Sequence, residues 1–443
     1  MMSISTRWNI VAVAIAVTVS ATAGRADAPN VYAVKNARLM TVAGPPIASG
    51  TIVIRHGRIE AIGAGVQAPD DALAIDGTGM TVYPGLIDMG HAAGLDVNSN
   101  QLQPAGLRTT DDAERWKRTL IFRPELEAAS HVKETPELAR LAGSGITTVL
   151  ATPPGVVFKG RSALVNVTAP PDEPQIGGVG DYRQGVQIVR APVALHVEFP
   201  GGVRGDGYPA SLLGVIAFVR QSFLDAQHQK AAREPAYDPA LDALQPALDG
   251  RLPVAFEADL SREILRALKM AQEFKLDAVI TGGREADQVA ADLKARNARV
   301  IYSLNYPVRS RALAPDADEP VSALRARAQA PRVPAALAKA GIVFAFSSDG
   351  LRESNEFVRN VARAVKDGLS PDAALRALTL DAAKIAGAAD RLGSLELGKI
   401  ANVVVTSGDL FEEKTKITYV FVAGRMVTLD DTPQPERRGR SGQ

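Results

Sequence analysis

Thr81-Val82-Tyr83-Pro84-Gly85-Leu86-Ile87-Asp88-Met89-Gly90-His91-Ala92 divides the chain in two. Before it lie short strand-like runs, and after it strand and helix patterns alternate. The apolar pair Leu86-Ile87 delivers Asp88 and His91 to the end of a strand. In parallel barrels that C-terminal end of the strands is where the chemistry sits.

Towards the N-terminus, residues 30–82 read as β structure. A first strand region covers 31–42, and Thr51-Ile52-Val53-Ile54-Arg55 and Arg58-Ile59-Glu60-Ala61-Ile62 flank His56-Gly57, a hairpin signal. Asp76-Gly77-Thr78-Gly79 makes a second turn before the strand that enters Pro84. Further upstream, Arg7 precedes an apolar run over 10–19, followed by Ala21-Thr22-Ala23 and Ala26-Asp27-Ala28. A charged start, a short apolar run and Ala-x-Ala sites read as a secretory signal peptide over 1–28, cut between Ala23 and Ala28. The run is shorter than the ~20 residues of a membrane span. The expected product is secreted to a bacterial periplasm, with no membrane attachment after cleavage.

Towards the C-terminus, residues 83–390 repeat strand and helix. Strands are expected at 146–150, 193–199, 252–257, 277–281, 299–304 and 342–349. Helices are expected at 137–142, 212–229, 261–274 with Ser261 as N-cap, 285–296, 334–340 and 371–388. The stretches 98–123, 170–183 and 311–332 read as loops, as does the Gly155 to Ser162 region. Strands return at 401–406 and 416–422, with a turn at Gly424, and a polar flexible tail covers 431–443. Such alternation favours an α/β fold with a (β/α)8 TIM-like barrel. Residues 29–82 and 391–430 then form one small composite β-sandwich domain, into which the barrel at 83–390 is inserted.

Composition narrows the chemistry. The 443 residues carry a net charge of +1, which argues against a nucleic-acid partner. There are no cysteines, so disulfides, thiolate metal sites and Cys nucleophiles are excluded. Any transition metal must be held by carboxylates and the five histidines, His56, His91, His131, His196 and His228. No Gly-x-Ser-x-Gly elbow is present.

Pro84-Gly85-Leu86-Ile87-Asp88 resembles the start of the Pro-Gly-Leu-Ile-Asp-x-His-x-His signature of the amidohydrolase superfamily. Gly57-Arg58-Ile59, Gly145-Ile146-Thr147-Thr148-Val149, Ala374-Leu375-Arg376-Ala377-Leu378-Thr379 and Gly393-Ser394-Leu395-Glu396-Leu397-Gly398-Lys399 are similar to further segments of that family, in its order. The nearest branches are the imidazolonepropionase-related and cyclic-amidase-like ones. The resemblance implies a hydrolase of non-peptide C–N bonds. It also implies a divalent metal such as zinc at the barrel mouth, which turns water into hydroxide while an Asp takes its proton.

Carried over residue by residue, most of that metal site is replaced. The histidine pair of the first strand falls on Gly90 and Ala92, with His91 one place out of step. The strand-five histidine falls on Glu257, the strand-six histidine on Gly282, and the strand-eight aspartate on Asp349. Asp349 and Glu257 are therefore the catalytic candidates. Asp88, His91, His196 and Gly282 are the pocket candidates, and Asp88, Glu257 and Asp349 are the carboxylates available to a metal. Glu257 reads equally as an oxygen ligand, an acid or base, or the partner of a cation. His91 needs a bulge to turn into the site, and His196 reads first as a core imidazole. Two functions follow as expectations. One is a hydrolase with an atypical, degenerate metal site, acting on a small molecule. The other is a catalytically silent binding protein, a homo-oligomer or the partner subunit of an active relative.

Overall fold

The computed structural model describes residues 31–92, 94–97, 106–168, 181–183, 186–203, 208–233, 237–314, 316–348 and 350–429. The expected signal segment, the expected tail and Asp349 lie outside these residues.

Both chain ends build one eight-stranded sheet. From one edge its order is Arg425–Val427, Ile417–Val422, Val403–Thr406, Thr81–Pro84, Val31–Leu39, Ile47–Arg55 and Arg58–Gly63, with Leu73–Asp76 also on Val31–Leu39. The seam between the two ends is Val403–Thr406 antiparallel to Thr81–Pro84, with Val403 opposite Pro84 and Thr406 opposite Thr81. Both segments are wholly buried and mostly β-branched or aromatic, which suits a strand covered on both faces. His56 and Gly57 adopt φ of 49° and 73°, the paired positive values of a type I′ hairpin turn. A second turn of the same sign pattern, Ala423-Gly424, packs against it. A Cβ on Gly424 would lie 2.5 Å from the Gly57 Cα, so this backbone-on-backbone contact requires glycine.

The barrel has eight strand positions. The first is Leu86–His91 and the second Ile146–Ala151, and these two run parallel. Positions four to eight are Leu195–Glu198, Val254–Ala258, Ala278–Gly282, Arg299–Ser303 and Phe344–Ser347, each parallel to the next. The third position differs from the expected parallel unit. There Phe158–Arg161 runs antiparallel to strand four, and Ala163–Asn166 runs antiparallel to strand two. The region read as a glycine loop is thus, from Phe158 onward, a stave of the barrel, paired on its two sides with strands four and two.

Residues of alternate parity face opposite ways, as in any closed barrel. Ile87, Met89, Leu150, Leu164, Ala255, Val279, Ile301 and Ala345 pack in one cluster with Ala382, Ala383 and Ile385 of the following helix. Their neighbours Phe256, Ile280, Val300 and Phe346 pack outwards against helical residues such as Val219, Phe223 and Ile264. Inward side chains near the C-terminal strand ends are therefore the ones that form the mouth.

Several local expectations are corrected. The stretch read as loop over 98–123 contains helix Thr110–Ile121, closed at its start by a capping box between Thr109 and Asp112. The stretch over 311–332 contains helix Val321–Gln329. The helix expected over 371–388 breaks at Thr379 into Pro371–Leu378 and Leu380–Ile385. Ser261 is the first residue of its helix rather than its cap. The Glu263 carboxylate accepts the Leu260 and Asp259 N–H groups instead. Among the described residues no helix is long and apolar enough to cross a membrane.

Candidate active site at the barrel mouth

Three charged side chains meet where strands four and five end and the antiparallel Phe158–Arg161 begins. Lys159 lies between the outward Phe158 and Gly160 and so turns inward. Glu198 and Glu257 are register partners on strands four and five. The Lys159 Nζ donates to Glu257 Oε2 at 2.5 Å and to Glu198 Oε2 at 3.0 Å. Lys159 is 14% exposed and Glu198 24%, whereas Glu257 is 53% exposed and forms the outer rim. Burial pulls the Lys159 pKa down, but Glu257 and Glu198 together overcome it and leave the ammonium above its ordinary value. The Glu198 carboxyl is raised, first by burial and then by the Glu257 charge, with Lys159 opposing.

His196 shares the inward face of strand four, two residues below Glu198. It is 5% exposed, and its Nε2 is buried without a hydrogen-bond partner. Burial, with the Lys159 charge behind it, pushes the imidazole down to about 3. It is therefore neutral at physiological pH.

Asp88 does other work. Its side chain is fully buried at the joint between strands one and eight. Oδ1 accepts the Ser348 N–H at 2.9 Å and the Gly90 N–H at 3.2 Å. The Ser347 and Ser348 hydroxyls both donate to the Gly90 carbonyl. These bonds close the barrel between strands one and eight. Burial raises the Asp88 carboxyl, with His91 and the N–H donors opposing. His91 ends strand one, and the ladder to strand two shifts register between Asp88 and His91, the irregularity that a change of side-chain direction needs.

At the two glycines a side chain would need its neighbours to move. A Cβ on Gly90 would stand 2.5 Å from the Ser347 Oγ. Gly282 has φ of 92°, and a Cβ there would meet Asp259 Oδ1 at 2.7 Å. Asp259 is held in turn by Arg284 at 2.5 Å. Among the described residues, no three His, Asp or Glu side chains converge as a metal site would require.

So the structure brings Glu257 and His196 to one mouth, puts Asp88 into the barrel joint, and adds Lys159 and Glu198, which the sequence reading passed over. Their signal was present. Phe158-Lys159-Gly160-Arg161 and Leu195-His196-Val197-Glu198 both alternate, so that two polar residues of each share a face.

Residues 277–427 match the amidohydrolase family model. The chain is 29% identical over 373 residues to an imidazolonepropionase of Aromatoleum aromaticum, covering 80% of this chain and 84% of that one. The fold resembles that of an amidohydrolase from Thermotoga maritima, with a TM-score of 0.69 at 23% identity over 90% of this chain and 99% of that one. A putative prolidase from Bifidobacterium longum has a TM-score of 0.54 at 19% identity, over 93% and 97%. Barrel, composite sheet and sequence match agree in likening this chain to the amidohydrolases.

Proposed function

We propose that this chain is an exported hydrolase that acts on a non-peptide C–N bond of a small molecule, or on a closely related cyclic amide or dipeptide-like substrate, at a mouth whose metal positions are replaced. The carrying observation is the Lys159–Glu198–Glu257 cluster at the C-terminal strand ends. Its parts match what amide hydrolysis needs. Glu198, with a raised pKa, can hold a proton for a leaving nitrogen. Glu257 at the rim can accept one from water. The Lys159 ammonium can face the negative charge that develops on a carbonyl oxygen. The divalent metal implied by the resemblance does not suit this donor set, because Gly90, Ala92 and Gly282 supply no ligand and Lys159 occupies both carboxylates.

The test is turnover of a panel of lactams, hydantoins, imidazolones and dipeptides by the chain and by Glu257→Gln. Loss of at least about 100-fold in kcat/KM is expected, within the range for a general acid or base. Equal turnover by Glu257→Gln would remove Glu257 from the mechanism. The second reading, a silent binding protein or partner subunit, is favoured by the same ion pairs, which satisfy the carboxylates internally. Absence of turnover over the panel, with co-purification of a metal-competent relative, would select it. Export rests on the N-terminal segment, and N-terminal sequencing of periplasmic protein should find a start between residues 24 and 29. A chain still beginning at Met1 would refute export.

A further inference from the structure

We infer that the Lys159 ammonium is the chain's own substitute for a divalent ion, a covalently tethered cation that holds Glu198 and Glu257 together and keeps metal out of the mouth. The inference rests on the proposed placing of the functional site at the barrel mouth, not on turnover.

Three observations carry it. The ammonium stands 2.5 and 3.0 Å from one oxygen of each carboxylate and bridges the two by hydrogen-bonded ion pairs. Lys159 is the least exposed of the three, so its charge is shielded from water and acts on the carboxylates at close range. Finally, Gly90 and Gly282 carry no side chain to reach a metal, and Gly282 has φ of 92°, a conformation that other residues rarely adopt.

The charge balance follows. Two carboxylates and one ammonium leave one net negative charge. Without Lys159, two negative charges face each other. A divalent ion would neutralise them through the carboxylate oxygens that hard cations prefer. Removal of the lysine charge should therefore open a cation site at these two carboxylates.

The experiment is Mn2+ and Zn2+ titration of the full chain by calorimetry, with the unfolding midpoint followed in parallel. Wild type should take up no stoichiometric metal at the mouth. Lys159→Ala should bind one ion per chain at least ten-fold more tightly than wild type, and added metal should raise its unfolding midpoint. The gain should vanish in Lys159→Ala/Glu257→Gln. It should also be absent in Lys159→Arg, which keeps the charge. Should Lys159→Ala fail to fold, Lys159→Met removes the charge and keeps the stem, with the same result expected. Stoichiometric metal in wild type, lost in Glu257→Gln, would overturn the inference. So would a folded Lys159→Ala or Lys159→Met that binds no more tightly than wild type. Because metal uptake is read without substrate, the hydrolase reading fails by its own turnover assay and not by this one.

Discussion

His196 is the residue whose behaviour is easiest to measure. Its pKa is about 3 in the folded chain against 6.5 when unperturbed. Between those values the unfolded chain binds a proton that the folded chain refuses. Stability therefore falls as pH drops from 6.5 towards 3, by at most about 1.4 kcal/mol per unit, and above 6.5 the effect disappears. Asp88 and Glu198 have raised pKa values and act with the opposite sign, binding protons more readily when folded. The difference between wild type and His196→Leu isolates the imidazole. Urea unfolding from pH 4.5 to 7.5 should show the two converging in stability change above pH 6.5 and the wild type losing more below it. Parallel curves over the whole range would mean that His196 reaches a proton-accepting state in the folded chain.

At the scale of elements, the difference between what was legible and what was not has a physical cause. Strands of one parity, such as Val254–Ala258 and Arg299–Ser303, announce themselves through apolar runs. Helix Thr110–Ile121 was harder to see, because it fully buries only Ile121 and is polar over most of its length. Its apolar stripe is narrow, made of Ala113, Trp116, Leu120 and Ile121, the first three only half-buried. Its capping box, Thr109 with Asp112, was the available local clue. The antiparallel third stave was hidden differently. Gly155 precedes it and Gly160 interrupts it, and glycine inside a strand reads locally as a turn. Only the ladders to strands two and four make it a strand.

At the scale of the whole molecule, the sheet made from both chain ends is tied to the barrel by a buried polar network. Asn402 Nδ2 donates to Thr148 Oγ1 at 2.9 Å and to Asn166 Oδ1 at 2.8 Å, while its Oδ1 accepts the Ala423 N–H at 2.8 Å. Asn166 Nδ2 continues the chain of bonds to Gln187 Oε1. One asparagine thus serves the second and third barrel strands and the turn after Ile417–Val422. Asn402→Ala strands the Ala423 N–H and leaves its partners short, and it should cost about 2–4 kcal/mol in denaturant unfolding. A loss below about 0.5 kcal/mol would show that the two parts of the molecule are joined elsewhere.

The sequence by itself determined the division of the chain at Pro84-Gly85-Leu86-Ile87-Asp88, the two-ended sheet, and the lack of donor side chains at Gly90, Ala92 and Gly282. Those features are local, since periodicity, turn residues and missing side chains are written where they act. The tertiary structure alone decided that Asp88 closes the barrel joint, and that Lys159 reaches both Glu198 and Glu257. These meetings depend on which strands lie side by side and in what direction. Lateral order and register are set by packing across the whole barrel, so no single stretch of the chain encodes them.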